Sequence, residues 1–316
     1  MSTGARRGGQ RRRFRSGPAA ALAAGTAAAC AARAAYAALS QRPPGGDTLW
    51  TRTNHRGEPV TLLEGPALTV AGVAGSAIAP GLAPRARAAL AVAGAGSAAF
   101  GGYDDLAGSG SRRGFRGHLG ALAQGEVTTG AVKLAGIGAT GLASAMLLGG
   151  GPADVAVNAG LVAGGANLLN LFDLRPGRAL KVALASGTLL AGGGRGGPLP
   201  AVAAPLGAAA ALLPEDLGER AMLGDAGANA LGALLGVAAA TNLSRPARLV
   251  LLAAITGLTA ASEVVSFTAV IERTPALRWL DMLGRRPVPA APVPGRDDPP
   301  PAEPREAGAS AAATAP

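Results

Sequence analysis

The chain has 316 residues, of which 49% are hydrophobic and 15% charged, and its formal net charge is +10. A basic balance of this size invites a nucleic-acid interpretation. Nearly all of the basic residues are arginines, however, and they stand at the ends of apolar segments or in the N-terminal arm, as in membrane proteins. No zinc-ligand spacing, phosphate-binding Gly-Lys-Ser/Thr loop or aromatic-basic patch accompanies them, which argues against nucleic-acid binding.

The first 17 residues form a basic arm that we expect to be disordered, and the apolar segment 18–40 follows it directly. A charged region before an Ala-rich one also fits a signal peptide, although this apolar stretch is longer than usual and contains Arg33. Residues 287–316 are rich in Pro and Ala with scattered charges, which predicts a disordered tail. Between arm and tail the sequence predicts one multi-pass membrane domain over 18–286.

Nine apolar segments that are nearly free of charge follow one another, each near the length that crosses a hydrocarbon core of roughly 30 Å. They are 18–40, 66–82, 87–102, 131–150, 152–172, 178–195, 198–213, 226–243 and 246–270. The 49 glycines fit helices that pack closely in lipid, because small residues let backbones approach. The sequence therefore predicts an all-α polytopic membrane protein with about nine transmembrane helices, between eight and ten, in one bundle.

The distribution of basic residues between the loops predicts the orientation. If nine spans are present, the loops after spans 1, 3, 5, 7 and 9 share one face, which carries most of the basic residues outside the arm. The positive-inside rule makes this face cytoplasmic in a cell membrane. The arginines of the arm would then lie outside. Three explanations stay open: 18–40 is not a span, the chain starts later than written, or the basic residues of the other loops determine the orientation in spite of the arm.

Four polar clusters fall on the predicted cytoplasmic face. They are Asn54-His55-Arg56-Gly57-Glu58-Pro59, Asp104-Asp105, Asn167-x-x-Asn170-Leu-Phe-Asp173 and Gly224-Asp225-Ala-Gly227. Carboxylates at a membrane edge are costly unless they are paired or bind a metal ion. Asp104, Asp105 and Asp173 also follow predicted helix C-termini, where the macrodipole disfavours an anion. A divalent cation, or basic side chains from nearby loops, would relieve both costs.

The adjacent acids Asp104 and Asp105 diverge by about 100° on a helix, so we do not expect them to do the same job. One could ligate Mg²⁺, which takes carboxylate and phosphate oxygens, while the other acts as a base or supports the ligand. Phosphates could be received by nearby basic side chains, namely Arg112, Arg113, Arg116, Arg175, Arg178 and Lys181. A metal ion, phosphates and apolar surroundings together indicate phosphoryl transfer at a membrane surface.

In their order along the chain, and in lying at span ends on one membrane face, these motifs resemble those of the polyprenyl-phosphate N-acetylhexosamine-1-phosphate transferases. The similarity covers about residues 50–245, from the early loop with Asn54–Pro59 to the Gly-Asp-x-Gly motif at Asp225. It implies that a membrane polyprenyl phosphate attacks the pyrophosphate of a UDP-sugar. The products would be a polyprenyl-diphospho-sugar and UMP, in cell-wall or related envelope glycan synthesis. It also implies Mg²⁺, or Mn²⁺ in its place, as cofactor.

The resemblance further implies roles for single residues. Asp104 and Asp105 match the acidic pair of the family, one of them being the candidate base toward the lipid phosphate. Asp225 matches the metal-ligating Asp, with Asp104 as a second ligand. The residues expected to shape the nucleotide site are Asn167, Asn170, Asp173, Arg175 and Arg178. The expected partners are the UDP-sugar, the polyprenyl phosphate and the membrane. A homodimer is left open.

Two departures from the family pattern motivate an alternative, a catalytically inactive member that serves as a membrane scaffold in envelope assembly. Pro176 stands where the family has a second Asp, and the late His-rich loop is missing, since His55 and His118 are the only histidines. A third hypothesis, a small-solute transporter, is motivated only by span count and glycine content and lacks any sign of duplicated halves.

Structural explanations also stay open for single residues. Asp225 directly precedes an apolar segment and could be an N-cap. Asn167 and Asn170 share one helix side and could hold helices together. Arg175 and Arg178 could be charges that only set topology.

Overall fold

A computed structural model describes residues 17–108, 120, 121, 124–193 and 199–287 of the chain. Residues 1–286 belong to one compact unit, and 287–316 form a second, of which only Pro287 is described. The predicted basic arm up to residue 16 and the rest of the predicted tail therefore lie outside the described residues. The same holds for Arg112, Arg113, Arg116 and His118.

The described residues are mostly helical, as predicted. In chain order the elements are α1 Pro18–Gln41, α2 Asp47–Trp50, β1 Thr51–Thr53, β2 Pro59–Thr61, α3 Glu64–Ile78, α4 Pro84–Ala107, α5 Thr129–Leu148, α6 Pro152–Phe172, α7 Arg178–Gly193, α8 Leu199–Leu217, α9 Gly224–Asn242, α10 Arg245–Ser262, α11 Phe267–Arg273 and α12 Pro275–Met282. Each of the nine predicted apolar segments is thus largely helical.

Local sequence signals set where several helices begin. Proline occupies the first turn of α1, α4, α6, α10 and α12, where its missing N–H costs nothing. Thr128 caps α5, because its hydroxyl accepts a hydrogen bond from the N–H of Ala131 at 3.1 Å. Ser266 caps α11 in the same way through Ala269. As a result, the predicted segment 246–270 is not one continuous helix, since α10 and α11 meet at 93°.

Fewer helices suit a membrane than the sequence predicted. Within the described ranges, α1, α5 and α6 are long and apolar enough to cross one, and the bent pair of α10 and α11 would make four. The count of about nine spans is therefore not confirmed. The 15 residues of α3 reach about 22 Å, which is short of a core of about 30 Å. The helix α4 carries Arg85 and Arg87 in its first turn and two acids in its last.

The helix α9 lies at the centre of the bundle. Sixteen of its 19 residues are buried, and it packs against α3, α4, α6, α7 and α8. Glycines permit these contacts: a Cβ added at Gly227 would lie 2.6 Å from the Cα of Gly65 in α3. Gly232 and Gly236 face the backbone of α6 in the same manner. The glycine content thus serves close approach of helix backbones, as the sequence predicted.

The early polar loop forms a β-hairpin rather than a plain loop, which adds a small sheet to an otherwise helical fold. In its turn, Oδ1 of Asn54 accepts hydrogen bonds from the N–H groups of Arg56 and Glu58. The N–H of Met222 donates to the carbonyl of Thr61 at 2.9 Å. The hairpin thereby holds the segment that leads into α9.

Candidate functional site

The candidate site lies where α9 begins. Gly224 adopts a φ of +60°, a left-handed conformation that glycine tolerates. Asp105, in the last turn of α4, accepts hydrogen bonds from the N–H groups of Asp225 at 3.0 Å and Ala226 at 2.9 Å. It satisfies two free amides and places a negative charge at the positive end of the helix dipole. Asp105 therefore caps α9 from a different helix.

A lysine ammonium lies between two of the predicted acids. The Nζ of Lys133, in the first turn of α5, is 2.5 Å from Oδ2 of Asp104 and 2.5 Å from Oδ2 of Asp225. The three side chains are 14%, 16% and 25% exposed, respectively. Lys133 thus joins α4, α5 and α9 at one point and compensates two carboxylates that would otherwise repel each other.

The adjacent acids Asp104 and Asp105, which lie outside the predicted span, differ in the direction of their pKa shifts. Burial, with the negative charge of Asp225 as a second cause, raises the pKa of Asp105 to about 6. The hydrogen bonds from the two amides of α9 act in the opposite direction and are outweighed. Burial also acts on Asp104, but hydrogen bonds from Lys133 and Thr129 outweigh it, and the pKa of Asp104 is lowered. The expectation that the two acids do different jobs therefore agrees with their environments.

Asp173 follows α6 and brings the third predicted motif to the same place. Its carboxylate accepts a hydrogen bond from the N–H of Gly224, and it lies near Asp216, Asp225 and Asp105. Burial, together with these neighbouring acids, raises the pKa of Asp173 well above its usual value. Predicted acids from α4, from the turn after α6 and from α9 are thus brought together.

The first predicted cluster, the early loop Asn54–Pro59, is connected to the site through Glu219. This residue is buried and has a φ of +57°, and its carboxylate accepts hydrogen bonds from Asn54 Nδ2 at 2.9 Å and Arg56 Nε at 2.8 Å. From β1, Arg52 Nη2 donates to the carbonyl oxygen of Asp105 at 2.5 Å. The early loop therefore has a positioning role, because its polar side chains hold the segments that flank the site.

The predicted nucleotide-binding residues are only partly brought to this place. Asn167 and Asn170 are half-buried in the last two turns of α6, on the helix that leads to Asp173. Arg175 is partly exposed, and its Nη2 is 3.9 Å from a carboxylate oxygen of Glu272. Their contacts with a nucleotide remain predictions.

Arg178 is held in a buried ion pair. Its side chain is 3% exposed, and Nε and Nη2 donate to the two carboxylate oxygens of Asp281 in α12 at 2.7 and 3.2 Å. Its Nη1 donates to the hydroxyl of Thr268 at 2.9 Å. This guanidinium fastens α12 to α7, and it would have to leave Asp281 before it could contact a nucleotide.

We expect Asp281→Ala to lower the free energy of unfolding by about 3 kcal/mol, because it leaves the buried charge of Arg178 uncompensated. Chemical denaturation in detergent, followed by circular dichroism, measures this change. The matched control is Glu272→Ala, which removes the exposed partner of Arg175 and should cost less than about 1 kcal/mol. Equal losses in the two variants would contradict the assignment.

Sequence reasoning missed Lys133, Glu64 and Asp216, which all lie at or near the acids. Lys133 left a usable signal, since it is one of two lysines in the chain and a lone cation at the start of an apolar segment. Asp216 and Glu64 belong to no motif, and their burial depends on how α3 and α8 pack.

The acids can supply only part of the ligand shell of a metal ion, and a substrate would have to supply the rest. No group of three or more His, Cys, Asp or Glu side chains in the described part of the chain is arranged to hold a metal ion. Asp104 and Asp225 still offer two carboxylates, and Mg²⁺ commonly takes one or two from a protein when substrate phosphates and water complete its shell. The ammonium of Lys133 occupies the point between them.

An apolar cavity of about 290 Å³ opens between α6, α7, α9 and α10. Its lining includes Leu169, Phe172, Leu189, Leu235 and Leu251. Phe172 directly precedes Asp173 in the chain, so the cavity is lined by the residue next to one of the acids.

These features define a class: a helical bundle in which several acids and one lysine meet at the N-terminus of a central helix, beside an apolar cavity. No protein-family model matches the chain, and no curated protein matches it.

Proposed function

We propose that this protein is a membrane phosphotransferase that transfers a sugar-1-phosphate from a UDP-sugar to a polyprenyl phosphate and releases UMP. The observation that carries the proposal is the meeting of Asp104, Asp105, Asp173 and Asp225 beside Lys133. These acids come from three motifs spread over about 120 residues, and they match the family's motifs in order. The reaction would serve envelope glycan synthesis at the cytoplasmic face of the membrane.

The donor's pyrophosphate would bind where positive charge is available. Lys133 supplies an ammonium, whereas the first amides of α9 are already taken by Asp105 and Asp173. Asp104 and Asp225 are the residues that would hold Mg²⁺, or Mn²⁺ in its place, and the ion would neutralise charge on the pyrophosphate. Asn167, Asn170, Asp173 and Arg175 would contact the nucleotide, and Arg178 would do so only after leaving Asp281.

In the reaction, an oxygen of the lipid phosphate forms a bond to the sugar-linked phosphorus of the donor. The bond from that phosphorus to the bridging oxygen breaks, and UMP leaves with the electron pair. A lipid phosphate is already ionised near neutral pH, so it needs little help from a base. Asp105, whose two oxygens accept amides of α9, acts in this scheme by fixing the helix N-terminus, and Asp104 is the acid that faces the reacting phosphates.

The acceptor's apolar chain also has a place to lie. The cavity between α6, α7, α9 and α10 has an almost entirely apolar lining and reaches Phe172, next to Asp173. A prenyl chain in this cavity would bring its phosphate toward the acids.

We expect the purified protein in detergent or nanodiscs to release UMP from at least one UDP-sugar when Mg²⁺ and polyprenyl phosphate are both present. Release should stop when a chelator removes the metal ion, because the pyrophosphate charge is then less well neutralised. Coupled detection of UMP across a panel of UDP-sugars measures it, with reactions lacking the lipid as controls. Protein that is folded by circular dichroism but turns over no donor would refute the proposal.

One observation favours the alternative of an inactive membrane scaffold. Lys133 is ion-paired with both Asp104 and Asp225, so an ammonium stands where the family's divalent cation would bind. If this lysine replaces the metal permanently, the fold persists without turnover. In that case Asp225→Asn would leave the cellular phenotype unchanged while deletion of the chain would not.

A further inference from the structure

Two buried carboxyl groups near the site have no use in the proposed reaction. Glu64, the first residue of α3, is 0% exposed, and neither of its carboxylate oxygens has a hydrogen-bond partner among the described residues. Asp216, in the last turn of α8, is 3% exposed. One of its oxygens accepts the N–H of Gly177, whereas Oδ2 has no partner among the same residues. Both lie outside the predicted spans.

The groups that act most strongly on Glu64 are themselves acidic. They are Asp216 and Glu215 of α8 and Asp173 at the end of α6. Tyr36 of α1 is also close enough to interact with Glu64, and it is neutral near pH 7. Glu215 is already paired with two arginines, so its charge is compensated there.

Positive charge does approach the other side of Asp216. Lys181 of α7 and Arg285 act on it, opposed by Glu219, and both cations also interact with Asp281. Even so, burial raises the pKa of Asp216 to about 7 and that of Glu64 well above its usual range. An isolated buried carboxylate is costly enough that the group normally takes up a proton instead.

We propose that Glu64 and Asp216 form a proton-binding site at the junction of α3, α8 and the α6–α7 turn. The site holds a proton at neutral pH and loses it in alkaline solution. This inference goes beyond the proposed transfer reaction and does not depend on it.

Proton loss has a defined structural consequence. Gly65, next to Glu64, packs against Gly227 of α9, and Asp216 holds the turn after α6 through Gly177. Two ionised carboxylates at this junction would repel each other and Asp173, and they would loosen the support of the start of α9. The bound proton therefore stabilises the contacts of α3, α8 and the turn after α6, which position the start of α9.

The direction of the pH effect follows from the raised pKa values. The folded state binds protons more tightly than the unfolded state, whose carboxyls have pKa values of about 4. The stability contributed by these groups is therefore fully present below about pH 4 and is lost as pH rises through the folded pKa, about 7 for Asp216.

Infrared spectroscopy tests the site directly, because a protonated carboxylic acid has a carbonyl band that carboxylates lack. The wild-type protein at neutral pH should show this band, and Glu64→Gln should weaken it without abolishing it, because Asp173 and Asp216, whose pKa values are also raised, contribute to the same band. Glu215 is a neighbouring carboxyl that is paired with two arginines, so Glu215→Gln should leave the band unchanged. Glu64→Gln should also weaken the fall in unfolding temperature between about pH 5 and about pH 8.

The proposal is overturned if wild-type protein at neutral pH lacks the band, or if Glu64→Gln retains it in full. Should Glu64→Gln fail to fold, titration of the band in wild type and in Asp216→Asn decides the question. Loss of the band with a midpoint near pH 7 or above, shifted in Asp216→Asn, supports the shared site. A band that does not titrate in this range, or has the same midpoint in both, contradicts it.

Discussion

Asp225→Asn is expected to lower UMP release at least about 100-fold while leaving the unfolding temperature almost unchanged. The variant removes one of the two carboxylates that would hold Mg²⁺, and losing a cation that stabilises a reacting phosphate commonly costs about 3 kcal/mol in the transition state. The fold should persist because Lys133 keeps Asp104 as its partner at 2.5 Å and Asp105 still caps α9. Initial rates of UMP formation and thermal unfolding of the same preparation measure the two effects.

The control for this experiment is Asp154→Asn. Asp154 is also paired with a basic side chain, Arg248 at 3.1 Å, but it lies in the first turn of α6, about 28 Å along the helix from Asp173. It should keep wild-type turnover. Wild-type turnover in Asp225→Asn, or equal losses in both variants, would show that the acidic cluster does not carry the reaction.

The helices could be predicted because their signals are local. Long apolar runs, prolines at first turns and Thr128 before α5 are visible in the sequence, and the nine predicted segments are helical to within a few residues at most ends. The bend between α10 and α11 is the exception. The segment 246–270 is apolar through most of its length, but α10 ends at Ser262 and the cap made by Ser266 begins α11.

Which helices suit a membrane could not be predicted from apolar length alone. Every residue of α9 from Gly227 to Ala239 is buried, so its small apolar side chains face other helices rather than lipid. Ala- and Gly-rich interior helices and membrane spans look alike in composition, so apolar length alone does not establish the count of about nine spans.

The candidate site could be predicted in part. The acids of α4, α6 and α9 were found because their motifs occur in a known order, and the structure places Asp105, Asp173 and Asp225 around Gly224. Lys133 belongs to no motif, and only the packing of α5 against α4 brings it to Asp104. The same limit applies to Arg178, whose partner lies 103 residues away in the chain.

Gly232→Val is expected to prevent stable folding, or to lower the free energy of unfolding by about 3 kcal/mol or more. A Cβ at this position would lie 2.6 Å from the carbonyl carbon of Gly165 and 2.7 Å from the Cα of Ala166. Those atoms belong to the backbone of α6, so they cannot turn aside as a side chain would. The two helices must separate, and overpacking of this kind typically costs about 1–3 kcal/mol and occasionally more.

The matched control is Gly138→Val, because Gly138 is also inside a helix, α5, and a Cβ added there would meet nothing within 4 Å. Valine has a slightly better helix propensity than glycine, so this control should change stability by less than about 0.5 kcal/mol. Thermal unfolding in detergent compares the two, with Gly232→Ala as an intermediate step. The loss should grow from alanine to valine at Gly232 alone, since only there does each added methyl group press α9 away from α6. Because α9 carries Asp225 at its start, turnover and stability should fall together in this series, whereas Asp225→Asn should lower turnover alone.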